Sequence, residues 1–130
     1  MPAPRSHPDL LSELLGPLHM HFMAARAAYQ AYLAEGRTFL HASSLRRINL
    51  AVRELLLTKG YLLPEALQPG AVALVGHYDI WLTLWEEQAE RTRPGPSESF
   101  VFENRFTYPK EAEQALERLY ETLRAEIPSQ

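Results

Sequence analysis

Ala71-Val72-Ala73-Leu74-Val75-Gly76-His77-Tyr78-Asp79-Ile80-Trp81-Leu82-Thr83-Leu84-Trp85 is the stretch that decides the fold. Leu74, Val75, Tyr78, Trp81, Leu82 and Trp85 recur at helical spacing and form one stripe. Ala73, Ile80 and Leu84 fall largely off that stripe, so the helix is apolar most of the way round. Such a helix is central in a bundle or covered by a second chain. It follows Pro69-Gly70 and reaches about Arg91. Past Trp85 it turns polar through Glu86, Glu87, Gln88 and Glu90. The spacing therefore predicts a buried first half and an emerging second half. The apolar run is too short and too polar for a membrane span, since His77 and Asp79 interrupt it.

Upstream, two more helices are predicted. The first starts at Ser6 or Asp9, with Leu11, Leu14 and Leu15 on its apolar face. Gly16-Pro17 is expected to interrupt it, because proline has no N–H and its ring clashes with the preceding turn. Leu18, Phe22, Ala25, Tyr29, Tyr32 and Leu33 then keep helical spacing as far as Gly36, the expected left-handed end. The second helix carries Leu45, Ile48, Val52, Leu55 and Leu56 and runs to Lys59, with Gly60 as a left-handed terminator. Ser43 or Ser44 could cap its start, but Arg46 and Arg47 would then sit in the first turn, where positive charge is disfavoured. Either the helix starts near Thr38 or a carboxylate or phosphate compensates the arginines.

Downstream, Pro94-Gly95-Pro96 opens a loop. In Phe100-Val101-Phe102-Glu103-Asn104-Arg105-Phe106-Thr107-Tyr108, the aromatic residues share one side under period-two alternation. That reads as an extended arm, a short strand, or a tight hairpin about Asn104. The last helix has Pro109 in its first turn, a stripe of Ala112, Ala115, Leu116, Leu119, Tyr120 and Leu123, and an end before Pro128. The fold class expected is all-α: an antiparallel four-helix bundle with a short aromatic arm before the last helix. One domain spans 1–130, with frayed ends at 1–8 and 127–130 and the loop and arm at 93–108.

The 130-residue chain has 46% apolar and 22% charged residues, ordinary for a globular domain. It has no cysteine, which removes thiol nucleophiles, disulfide frameworks and Cys-based metal sites. No uninterrupted apolar leader follows Met1, so the cytoplasm is the expected compartment. A net charge of −3 argues against nucleic acid as partner. The charge is uneven. Residues 1–60 carry seven basic and four acidic groups, and residues 61–130 carry six basic and twelve acidic groups. This is either complementarity between packed helices or a basic face for an acidic partner. Arg46, Arg47 and Arg53 are the candidates for anion or partner contact.

The six glycines stand singly. None belongs to a phosphate-binding loop or a nucleophile elbow. Helical metal sites place His or Glu ligands three or four residues apart, and no such His/Glu pair occurs. His19 and His21 are two apart and face away from each other. No metal and no cofactor is expected; the alternative metal set is His19, His77 and Asp79, drawn from different helices. Buried His77 or Asp79 would each need a partner. The expectation is that Asp79 is at least partly buried and paired with Arg53, Arg46 or a tyrosine hydroxyl.

Arg37-Thr38-Phe39-Leu40-His41 resembles the Arg-x(4–6)-His motif of HEPN ribonucleases, helical bundles of similar size, although only three residues intervene here. The resemblance implies an RNA-cleaving or nucleotide-binding dimer. Without a catalytic constellation, the leading function is a non-enzymatic protein-interaction domain. It would act as a homodimer or an accessory subunit through Trp81, Trp85, Phe100, Phe102, Phe106 and Tyr108. The alternative is a small helical enzyme, ribonuclease-like or metal-dependent, using Arg37, His41, His77 and Asp79.

Overall fold

The computed structural model describes residues 6–127. It is all-α, as the sequence predicts: α1 (Ser6–Asp9), a π-helical segment (Leu10–Leu15), α2 (Gly16–Ala34), α3 (Phe39–Lys59), α4 (Gln68–Thr92) and α5 (Lys110–Ala125), with 3-10 turns at Gly60–Leu62 and Glu65–Leu67. Among the described residues, the sole β feature is an isolated antiparallel bridge between Thr38 and Ser99. Helix begins at Ser6, inside the N-terminal stretch expected to fray. The remaining expected frayed ends, apart from Ile127, lie outside the described residues.

Gly16-Pro17 does not break the first helix. Leu15 and Gly16 keep right-handed helical angles, and the Gly16 N–H donates to Leu11 O, five residues back. An α-helix would crowd the Pro17 ring against a carbonyl four residues earlier. The wider π turns of Leu10–Leu15 make room for it. The chain therefore passes the proline without turning away, and Leu10, Leu14 and Leu15 stay in the core.

α3 and α4 run in opposite directions: Arg46 meets Glu86 and Arg53 meets Asp79. So do α2 and α5, where His19 meets Glu117 and Arg26 meets Glu113. These four pairs each join the first half of the chain to the acidic second half. The charge asymmetry is thus largely taken up inside the molecule.

Two apolar clusters hold the helices. The larger joins the π segment and α2 (Leu10, Leu14, Leu18, Phe22) to Val52 and Leu56 of α3, Leu74 and Tyr78 of α4, and Leu116 and Leu123 of α5. The smaller is aromatic and lies at the far end of α3 and α4, where Ala42, Trp85 and Phe100 are buried. α4 departs from expectation. Ala71, Leu74, Tyr78, Leu82 and Trp85 are buried, but Val72, Ala73 and Gly76 are exposed on its opposite side. Its first half is covered on one face only.

Two helix ends differ in kind. Gly36 has φ +86 and Arg37 follows with φ +56, so the α2–α3 turn is left-handed as the glycine predicts. Gly60 is not: φ −59 and ψ −23 are ordinary right-handed values, because the chain continues from α3 into a 3-10 turn. α3 begins at Phe39 after an extended Thr38, the start that relieves Arg46 and Arg47 of the helix dipole.

The arm folds back over its own chain. Phe39 N–H donates to Glu98 O, and Phe100 N–H donates to Arg37 O, each at 2.8 Å. The Phe100 ring, 2% exposed, sits 5.0 Å from Trp85 and 5.1 Å from Phe39. Phe102 packs on Trp81 and Tyr108 on His77. Phe106 is the exception, at 59% exposure. Its N–H donates to Asn104 Oδ1, a side-chain turn that throws the ring outward and ends the alternation.

Candidate functional site

Among the ionisable residues singled out by sequence, His19, Arg46, Arg53 and Asp79 are committed to partners within the chain. Asp79 accepts from Arg53, as expected, but its side chain is 49% exposed rather than buried. The helix that carries it presents that face to water. Arg53 also donates to Glu54, Arg46 pairs with Glu86 and its guanidinium lies 5.3 Å above the Trp85 ring. Arg47 is exposed and makes no ion pair among the described residues.

The alternative metal set is not assembled. His19 bonds to Glu117 at 2.8 Å and stacks on Tyr120, while Asp79 is held by Arg53. Among the described residues, no three His, Asp or Glu side chains form a group that could hold a metal. The alternative catalytic set is also dispersed. Arg37 lies in the α2–α3 turn and His41 in the first turn of α3, whereas His77 and Asp79 lie level with Arg53 on α4. Twelve residues separate His41 from Arg53, about 18 Å along the helix.

His77 does enter a polar cluster, with different partners. Its ring lies edge-on to Tyr108 at 5.0 Å. Tyr108 OH donates to Glu113 and therefore accepts from Tyr78 OH at 3.0 Å. Burial lowers the His77 pKa, so the ring is neutral at neutral pH, and its buried Nδ1 has no hydrogen-bond partner among the described residues. Burial pushes the Tyr78 pKa up to about 12 and the Tyr108 pKa higher still. Hydroxyls so reluctant to ionise are poor nucleophiles and poor acids. The cluster reads as a hydrogen-bonded strut between α4, the arm and α5.

Several surface clefts are open, a larger one of about 570 Å³ between the π segment and the end of α5 among them; two others bear on function. The first is an apolar groove of about 240 Å³ where the end of α3 meets the start of α4. Leu57, Tyr61 and Val72 rim it, exposed by 54%, 71% and 70%. Among the described residues, no charged side chain lines it. The second is a cleft of about 240 Å³ beside the arm, walled by Tyr29, Tyr32, Trp81 and Phe102, with Arg37 and Asn49 among its lining. Trp85 and Phe100 form its floor, so these two expected interface residues are enclosed by their own chain.

The sequence assigns no site role to Leu57, Tyr61, Val72, Tyr29, Asn49 or Asn104; Tyr29 is read only as part of a helical stripe and Asn104 only as a possible turn. A signal existed for two of them: Leu57 and Val72 are apolar residues lying off the stripes of their helices. No family model, no curated protein and no solved structure matches this chain. The five-residue HEPN resemblance therefore has no family match beside it.

Proposed function

We propose that this chain is a protein-interaction domain that pairs with a second copy of itself through the α3–α4 groove. The observation that carries the reading is the uncovered apolar surface of Leu57, Tyr61 and Val72 around an uncharged groove. Contiguous exposed apolar surface of this kind marks association sites. A patch without charge can meet its own copy across a two-fold axis with no like-charge repulsion. The exposed face of Val72, Ala73 and Gly76 continues it along α4. Gly76 has nothing within 4 Å of where a Cβ would stand, which lets a partner backbone approach closely. An accessory-subunit role would use the same face against a different partner.

Sedimentation across a concentration series tests this. The expected result is a reversible dimer that Leu57→Glu with Val72→Glu returns to monomer without loss of helicity. Both positions are exposed, so the charges have no reason to disturb the core. A wild-type chain that stays monomeric throughout, or a double variant that still dimerises, overturns the reading.

A further inference from the structure

The cleft beside the arm combines ring faces with a cation that has no ion-pair partner among the described residues. Arg26, Arg46, Arg53, Arg93 and Lys59 all pair with carboxylates. Arg37 makes no ion pair among the described residues. It is held in a left-handed conformation, φ +56, which arginine rarely adopts. Two backbone bonds keep it there: its N–H donates to Tyr32 O at 2.7 Å, and its carbonyl accepts from Phe100 N–H at 2.8 Å. Backbone strain fixed from both sides is a mark of functional positions. Here it sets Arg37 at a cleft walled by Tyr29, Tyr32, Trp81 and Phe102.

Besides the hydroxyls of Tyr29 and Tyr32, the second of which donates to Phe100 O, the other polar side chains are amides. Asn104 accepts from Phe106 N–H through Oδ1, which leaves its NH2 group as a donor. The Asn49 side chain makes no hydrogen bond among the described residues. Among the described residues, Arg37 is thus the only charged side chain lining the cleft. The charge calls for an anion, the fork of the guanidinium suits a carboxylate, and the ring walls suit a flat apolar body. At about 240 Å³ the space falls below that of drug-sized sites, roughly 300–1,000 Å³. One ring or two fused rings fill it; a whole nucleotide does not.

We infer that the cleft between the α2–α3 turn and the arm binds an aromatic carboxylate, with Arg37 on the carboxylate and the ring against Trp81 and Phe102. The same chemistry is offered by a free small aromatic acid and by the last residue of a partner chain ending in an aromatic side chain.

The chain's two tryptophans make the test direct, because they give two indole N–H signals in a ¹H–¹⁵N spectrum. Trp85 donates its indole N–H to Ala42 O and is buried, so its signal reports on the fold. Trp81 is half-buried against Phe102 and reports on the cleft. The probes are 2-naphthoate for a free acid and N-acetylphenylalanine for a chain terminus, each beside its uncharged amide. Either acid is expected to shift the Trp81 signal saturably. The amide of whichever acid binds should do so about ten- to a hundred-fold more weakly, the loss of one charge-assisted pair. Arg37→Gly should weaken the acid by the same factor. Glycine accepts the left-handed angle, so this variant keeps the turn and removes the cation. Binding of only one of the two acids assigns the source and supports the inference. Absence of a saturable Trp81 shift with both, equal binding of acid and amide, or full binding by an Arg37→Gly chain whose Trp85 signal is unmoved overturns it.

Discussion

Replacing Gly16 with alanine sets two effects against each other, and the structure says which wins. In an ordinary helix interior, Gly→Ala stabilises by roughly 0.5–1 kcal/mol, because alanine loses less backbone freedom on folding. At position 16, however, an added Cβ would stand 2.9 Å from Leu11 O. That oxygen is backbone and cannot swing aside. It is also the acceptor of the Gly16 N–H across the π turn. Relief requires either lengthening that bond or rewinding the segment into α-helix. A weakened bond costs about 0.5–1.5 kcal/mol, and about 1–3 if a group is left buried and unpaired. Rewinding turns Leu10, Leu14 and their neighbours by about 100° per residue gained or lost, out of a core where both are at most 2% exposed. The clash wins, and Gly16→Ala should destabilise by about 1 kcal/mol net. Urea unfolding followed by circular dichroism measures it, with an unchanged slope confirming that the same surface is exposed. A variant as stable as wild type, or more so, would refute the claim that the π turns are needed to carry the chain past Pro17.

The same substitution should act oppositely at Gly60. Its angles are helical and nothing lies within 4 Å of the Cβ position, so Gly60→Ala should stabilise by about 0.4–1 kcal/mol in the same assay. This reverses the loss that a left-handed terminator would imply. Phe100→Ala should destabilise by about 3–5 kcal/mol, independently of protein concentration, since the ring is 2% exposed within its own chain. Phe106→Ala, at 59% exposure, should change stability by less than about 0.5 kcal/mol; equal losses at the two positions would contradict the packing of the arm. Burial holds His77 below its ordinary pKa of 6.5, so the unfolded chain takes up its proton first. Its contribution is present above pH 6.5 and is lost as pH falls through the folded value. His77→Phe should flatten that part of the stability profile, and an unaltered slope would count against it. Tyr78 has the opposite sign: its pKa is raised from 10.0 to about 12, so its contribution is lost as pH rises through that window. Tyr78→Phe should remove one late step from an absorbance titration.

Periodicity and punctuation alone determined the helical class, the end of α3 at Lys59, and the left-handed turn at Gly36; the start of α3 was legible only as a choice between Thr38 and Ser43 or Ser44. They also determined the alternating burial of Phe100, Phe102 and Tyr108. These are local properties. A stripe at helical spacing has one way to be buried, and a glycine after a helix is the cheapest residue to reverse it. The Arg53–Asp79 pairing was legible as one of three choices, because a carboxylate on an apolar helix needs a partner. Tertiary structure decided what depends on residues distant in sequence or on competing local solutions. Pro17 could have broken the helix or widened it, and the core contacts of Leu10 and Leu14 favour widening. Gly60 could have reversed the chain or continued it, and the following 3-10 turn continues it. Asp79 is exposed because α4 is covered on one face only, which no property of α4 alone could show. The cleft draws Tyr29 and Tyr32 from α2, Asn49 from α3, Trp81 from α4 and Phe102 from the arm. A site assembled from four segments has no spacing to read, so only folding brings it together.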